Sequence, residues 1–332
     1  MKINAKLRKK AAELLAGGKS FAIYRLPDKT PKLVEKAGDK VDVYISPWLT
    51  CFGDNLHIGE IAESEPSFTL PDATDKETYI NRVGELVKVL RKRGMSKTVI
   101  SRVITGETPG LDWIQAAEDL WNAFPATFGY LFYTPSTGAW LGASPEKLIV
   151  TFKPNHFTTH ALAGTMPADV DWNRKNYEEQ QMVVDFIEDS LEQMHVTYKE
   201  IGPKSLVYGS IKHLSTVFSG ELDNPEEQTV GLHDWLSPTP ALSGLPREEA
   251  IDDIDEIEEH DRGCYGGYIT LKSDDGVTSY VTIRCVQFDP RDGRWAIYVG
   301  GGITPKSEPE AEWDETEAKA STLLGILKES HA

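Results

Sequence analysis

Thr127-Phe-Gly-Tyr-Leu-Phe-Tyr133, Ala139-Trp-Leu-Gly-Ala143, Lys147-Leu-Ile-Val-Thr-Phe152 and Phe157-Thr-Thr-His-Ala-Leu162 are four short apolar runs of strand-forming composition. Turn signals at Pro135-Ser-Thr-Gly138 and Pro154-Asn155 separate them, so the block reads as an antiparallel meander. Upstream, residues 5–17 and 77–93 have helical spacing, with Tyr79, Val83, Leu86, Val87 and Leu90 on one face of the second. Downstream, a helical stretch is expected over about 174–199, with Met182, Phe186, Leu191 and Met194 on one face. A further strand-rich region leads to strands at 268–271, 280–288 and 295–299 and a closing helix at about 309–327. Strands grouped in blocks, rather than alternating strictly with helices, imply an α+β fold in a single domain, with largely antiparallel sheets and helices packed outside.

The 332 residues carry 35 Lys plus Arg against 52 Asp plus Glu, a formal net charge of −17. So acidic a surface repels phosphate backbones and disfavours nucleic-acid binding. An anionic ligand would need local cations or a metal. Three cysteines, Cys51, Cys264 and Cys285, show no paired spacing and predict a reduced, cytoplasmic setting. Glu13 and Gly17-Gly18 interrupt the apolar stretch that a signal peptide needs. The longest uncharged run, 120–145, is broken by Pro125, Gly129, Pro135, Gly138 and Gly142, which excludes a membrane helix there.

Candidate sites divide by spacing. Gly300-Gly-Gly302 follows a strand but lacks the pattern of a dinucleotide or phosphate loop; its bare N–H groups still suit an anion. His156 and His160 have helical metal-pair spacing, yet the residues between them are strand formers, so they read as ordinary strand histidines. The acidic run 251–259 has isoleucines every third residue and reads as a solvated helix face. On the closing helix, Glu312, Glu315 and Lys319 share one face, either a surface ion-pair ladder or part of a carboxylate site. Glu178-Glu179 offers carboxylates from a second helix, and such a pairing suits Mg²⁺.

Taken in order, the motifs are more specific. They are Lys97-Thr-Val-Ile-Ser-Arg102, Ser144-Pro-Glu146, Ala161-Leu-Ala-Gly-Thr165, His213-Leu and Pro238-Thr-Pro-Ala-Leu-Ser-Gly244. Asp261-Arg262 with Tyr265-Gly-Gly267, Ile283-Arg284, Gly300-Gly-Gly-Ile303 and Glu312-Trp-Asp-Glu315 with Thr316 and Lys319 complete the series. This series resembles the chorismate-utilising enzymes: isochorismate, salicylate, anthranilate and aminodeoxychorismate synthases. The resemblance covers about residues 95–325. It implies a catalytic region at 95–327 and, at 1–94, an abbreviated N-terminal scaffold of the same domain. The 238–244 block is most similar to that of isochorismate synthases. Ala163 stands where aminodeoxychorismate synthases have a nucleophilic lysine, and no amidotransferase domain is present. Three positions depart from the family pattern: Asn176 replaces an acidic residue, and Gln180 and Ser237 replace histidines.

The resemblance implies an isomerase that delivers water to C2 of chorismate, shifts the double bonds and expels the C4 hydroxyl. It makes Lys97 the base and Glu146 the acid, on opposite faces of the ring. At reference values of about 10.4 and 4.3 both groups sit in the wrong protonation state at neutral pH, so the site must shift them. It also implies Mg²⁺ held by Glu179 and Glu315 with Glu312 close by. Arg284, Tyr265, the Gly300, Gly301 and Gly302 backbone and Lys319 then receive the enolpyruvyl carboxylate, and Thr165 and His213 line the ring's polar edge. Chorismate is the expected partner, with no nucleic acid, membrane or obligatory protein partner. Salicylate and anthranilate synthases are the enzymatic alternatives, and a Mg²⁺-dependent binding protein on the same fold is the non-enzymatic one.

Overall fold

The structure is a computed structural model that describes residues 2–38, 40–94, 97–153, 155–208 and 211–329, without the side chains at 163–165, 167, 175, 207, 208, 211 and 329. Helix α1 (Ala5–Ala16) leads into β1 (Phe21–Arg25), β2 (Lys32–Val34) and β3 (Asp42–Ser46). Next come β4 (Leu56–His57), α2 (Lys76–Arg93), β5 (Lys97–Glu107) and α3 (Trp113–Ala123). The meander follows as β6 (Phe128–Thr134), β7 (Gly138–Ser144), β8 (Lys147–Phe152) and β9 (His156–Pro167). Helix α4 (Arg174–Gln193) precedes the hairpin β10 (Tyr198–Tyr208) and β11 (Ile211–Glu221). Then come α5 (Pro225–Leu236), β12 (Gly244–Leu245) and α6 (Arg247–Ile257). The chain closes with β13 (Tyr268–Ser273), β14 (Gly276–Val281), β15 (Cys285–Phe288), β16 (Arg294–Ile303) and α7 (Pro309–Glu329).

The strands form two eight-stranded sheets, ordered β12-β5-β16-β15-β7-β6-β1-β2 and β10-β11-β9-β8-β14-β13-β3-β4. Neighbouring strands run antiparallel, as the meander predicts, and the N-terminal strands join both sheets. Strand β6 is buried on both faces of the first sheet, which explains why it is apolar without alternation. Tyr130, Phe132, Trp140 and Tyr298 face the second sheet, in a core shared with Phe157, Tyr268 and Tyr280. Leu131, Leu141 and Ile297, one residue out of phase, pack instead with Ala116, Leu120 and Leu323 of α3 and α7. The α2 face read from the sequence, Tyr79 to Leu90, covers Ile100 and Ile303. Among the described residues no helix is long and apolar enough to cross a membrane.

The structure departs from the sequence reading in three places. Helix α4 ends at Gln193 rather than near 199, because His195 takes a positive φ of 53° and β-branched Val196-Thr197 leads into β10. The apparent strand 280–288 is two strands, β14 in one sheet and β15 in the other. The crossing falls at Thr282–Arg284, where Arg284 has φ 51° and its carbonyl accepts from the Ala143 N–H at 3.2 Å.

The acidic run of α6 is also not wholly solvated. Asp253 is buried and accepts from the Thr98 hydroxyl at 2.9 Å and from Arg93 at 2.7 Å. Just beyond the helix, Glu258 meets the buried Arg262 at 2.6 and 2.8 Å and accepts from the Ser101 N–H at 2.5 Å. Arg262 also donates to the carbonyls of Leu242 and Val99, at 2.9 and 2.8 Å. Truncating one partner of a buried ion pair strands the other charge, typically costing about 3–5 kcal/mol. Arg262→Ala is therefore expected to lower the unfolding free energy by that order in denaturant titrations; a change below about 1 kcal/mol would contradict the role given to this pair.

Candidate active site

Lys97 opens β5, which lies between β12 and β16. Its backbone pairs with Leu245, and the strand continues along β16 so that Val99, Ile100 and Ser101 register with Gly302, Gly301 and Gly300. The glycines are needed for space. A Cβ on Gly302 would come within 2.6 Å of the Lys97 Cε, and one on Gly300 within 2.7 Å of the Tyr265 hydroxyl. The triglycine run is thus the floor over which Lys97 and Tyr265 converge. The Lys97 side chain is 13% exposed, and its Nζ lies 3.1 Å from Glu179 Oε1 on α4.

Glu146 sits in the turn between β7 and β8. Part of the residue stays accessible, yet its carboxyl group is enclosed, and desolvation pushes its pKa up to about 7. The Thr239 hydroxyl, donating to Oε1 at 3.2 Å, and the Lys97 charge pull in the opposite direction without overcoming burial. The two residues expected to act as acid and base therefore interact electrostatically across one site.

Helix α7 contributes the remaining charges. Lys319 Nζ donates to the Gly300 carbonyl at 2.8 Å and pairs with Glu315 at 2.7 Å. Glu312 Oε2 lies 3.1 Å from the place a Cβ on Gly301 would take. Arg284 and Tyr265 interact electrostatically, and desolvation lowers the guanidinium pKa while raising that of the phenol. His213 lies in β11 with its backbone opposite Thr165 of β9; the side chain of Thr165 lies outside the described residues.

Among the described residues no three His, Cys, Asp or Glu side chains gather tightly enough to cage a metal. Glu179 and Glu315 each face a lysine, and Glu312 faces the triglycine floor. The Tyr79 hydroxyl is buried without a hydrogen-bond partner, 3.4 Å from the same Gly301 position. An open set of carboxylates with an unsatisfied polar group beside it fits Mg²⁺, which keeps several waters and takes substrate oxygens rather than a closed protein cage.

Two departures from the family pattern have structural explanations. Gln180 is buried and donates to the Ala161 carbonyl at 3.2 Å and to the Thr216 hydroxyl at 3.1 Å. It ties α4 to β9 and β11, pointing away from the solvent-facing Glu178, which pairs with Arg174 at 2.6 Å. Asn176 completes a reciprocal capping box with Asn173 at the start of α4. Sequence reading gave no role to Thr239 and placed Tyr79 only on the apolar face of α2; nothing in local spacing distinguishes a core hydroxyl from one that borders a site.

The raised Glu146 pKa has a stability consequence. Between pH 4.5 and about 7 the native state keeps a proton that the unfolded chain releases, so this group's contribution falls as pH rises through that window. Denaturant titrations of Glu146→Gln are expected to show the variant gaining stability relative to the parent at pH 8 compared with pH 4. An equal difference at both pH values would contradict an enclosed carboxyl.

The model of the chorismate binding enzyme family matches residues 27–325. The chain is 30% identical over 273 residues to isochorismate synthase EntC of Escherichia coli, covering 78% of this chain and 68% of that protein. It is also 30% identical over 288 residues to isochorismate synthase DhbC of Bacillus subtilis, covering 80% and 71%. Among solved structures, the menaquinone-specific isochorismate synthase MenF of Escherichia coli superposes with a TM-score of 0.77 at 19% identity, covering 96% of this chain and 91% of that one. Anthranilate synthase component I of Streptococcus pneumoniae superposes at 0.66 and 22% identity, covering 80% and 61%, so the fold spans several activities. With the ordered motifs, the paired sheets and the family match over nearly the whole chain, the protein belongs to the chorismate binding enzymes.

Proposed function

We propose that the protein is an isochorismate synthase, an isomerase that interconverts chorismate and isochorismate. The observation that carries this reading is the opposition of Lys97 and the enclosed Glu146, whose pKa near 7 lets a carboxyl donate a proton at neutral pH. A binding protein would not need a protonated acid and a lysine facing one another. The naming of the curated relatives as isochorismate synthases supports the choice of reaction, as does Ala163 in place of a nucleophilic lysine.

In this mechanism Lys97 removes a proton from water as the water attacks C2, and Glu146 protonates the departing C4 hydroxyl, which leaves as water while the double bonds shift. Arg284 and Lys319 meet the enolpyruvyl carboxylate; the planar guanidinium suits a two-point grip. The Gly300–Gly302 backbone brings its N–H groups close because no Cβ intervenes. Glu179 and Glu315, with Glu312 nearby, would hold Mg²⁺, which supplies positive charge for the ring carboxylate. His213 borders the ring's polar edge. Reversal uses the same groups with roles exchanged, and the product feeds menaquinone or siderophore synthesis.

Incubation with chorismate and Mg²⁺, with and without ammonium, is expected to give an isochorismate–chorismate mixture by chromatography. Stoichiometric pyruvate with salicylate, or ammonium-dependent anthranilate, would assign the chain to a sister activity instead. Lys97→Ala and Glu146→Gln are each expected to lower kcat by about 10²-fold or more with little change in chorismate binding. Glu315→Gln is expected to weaken Mg²⁺ binding in calorimetric titration while the circular dichroism spectrum is unchanged; unaltered Mg²⁺ affinity would remove Glu315 from the metal site.

A further inference from the structure

The segment 238–244 is a compact loop wound around one carbonyl. The oxygen of Thr239 accepts from the Leu242 N–H at 2.8 Å, the Ser243 N–H at 2.9 Å and the Ser243 hydroxyl at 3.0 Å. The loop is then fastened to its surroundings. Arg262 holds the Leu242 carbonyl, the Val99 N–H donates to the Ser243 carbonyl at 2.8 Å, and Gly244 and Leu245 pair with Thr98 and Lys97. The backbone of Thr239 is therefore fixed relative to Lys97, and its hydroxyl reaches Glu146 Oε1 at 3.2 Å.

We propose that Thr239 is a positioning residue for Glu146: its hydroxyl donates to Oε1 and leaves Oε2 as the oxygen that hands its proton to the substrate. This rests on the reading of Glu146 as the acid. A hydroxyl donating to Oε1 favours the form with the proton on Oε2, because the carbonyl oxygen is the better acceptor of the two. When the proton leaves Oε2, charge spreads onto Oε1 and the hydrogen bond strengthens, as bonds to ionised acceptors do. Thr239 thus helps most as the proton transfers, when the carboxylate is forming.

The surroundings of the carboxyl make this testable by pH. Lys97 faces it from β5, and a small cavity beside it is lined by Lys147, by His160 of β9 and by the uncharged Val183, Phe186 and Ile187 of α4. The 236–241 stretch adds Leu236, Pro240 and Ala241, none of them charged. Burial and Lys147 both lower the His160 pKa, so it is already neutral where Glu146 ionises. The alkaline limb of the rate profile then reports Glu146.

The test compares Thr239→Val, Thr239→Ser and Glu146→Gln with the parent protein and chorismate. Thr239→Val is expected to move the alkaline limb of kcat/KM up by about one pH unit and to lower kcat about tenfold, the scale of one hydrogen bond to an ionised group, with KM unchanged. Thr239→Ser, which keeps the hydroxyl, restores the parent limb. If Thr239→Val does not fold, Thr239→Ala removes the same hydroxyl and is held to the same expectation. An unchanged limb and kcat in the hydroxyl-free variants, with Glu146→Gln inactive, overturns the role of Thr239 and leaves the acid in place. Near-parent turnover by Glu146→Gln would instead remove the acid assignment itself, and the proposal with it.

Discussion

Arg262 carries a charge into the interior, and the arrangement of the site follows from satisfying it. A buried guanidinium must find acceptors for its donors, since unpaired buried charge is costly. Here they are the Glu258 carboxylate and the carbonyls of Leu242 and Val99, with the rings of Trp48 and Tyr265 at 4.3 and 5.6 Å. Three stretches remote in sequence are thereby held to one another: β5 with Lys97, the loop with Thr239, and the turn with Tyr265. Catalysis by a positioned acid and base depends on geometry held to fractions of an ångström, which is what such cross-bracing supplies.

A second constraint is charge. The chain is strongly acidic, while the proposed substrate is a dianion, so cations must be concentrated where it binds. Arg284 and Lys319 supply them beside a floor of three glycines. Lys319 faces the Glu315 carboxylate at 2.7 Å, and Lys97, the proposed base, faces Glu179 at 3.1 Å. The same carboxylates are those proposed to take Mg²⁺.

How much of this was legible in the sequence depends on the range of the interaction that decides each feature. The meander 128–167, the face of α2 and the closing helix were legible because periodicity and turn residues are local. The end of α4 was misplaced, since a positive φ at His195 is not announced by composition. The break at Arg284 was hidden inside a continuous strand-like run, because crossing from one sheet to the other is a tertiary event. Asp253 and Glu258 looked like solvated charge; only contacts with Arg93, Thr98 and Arg262 turn them inward. The site residues came from ordered motifs rather than periodicity, and Gln180 shows the limit of that route. It stands where the family pattern has a histidine, and its amide braces β9 and β11.

The central claim is that water enters at C2 under Lys97 while the C4 hydroxyl leaves through Glu146. Turnover of unlabelled chorismate in ¹⁸O-enriched water, with mass spectrometry of the isolated product, tests it most directly. The account predicts one solvent-derived oxygen in each isochorismate, located in the C2 hydroxyl, and gradual appearance of label at C4 of the chorismate pool as the reaction reverses. Isochorismate free of solvent oxygen would mean that the hydroxyl migrates within the substrate, leaving no water for Lys97 to activate and contradicting the account.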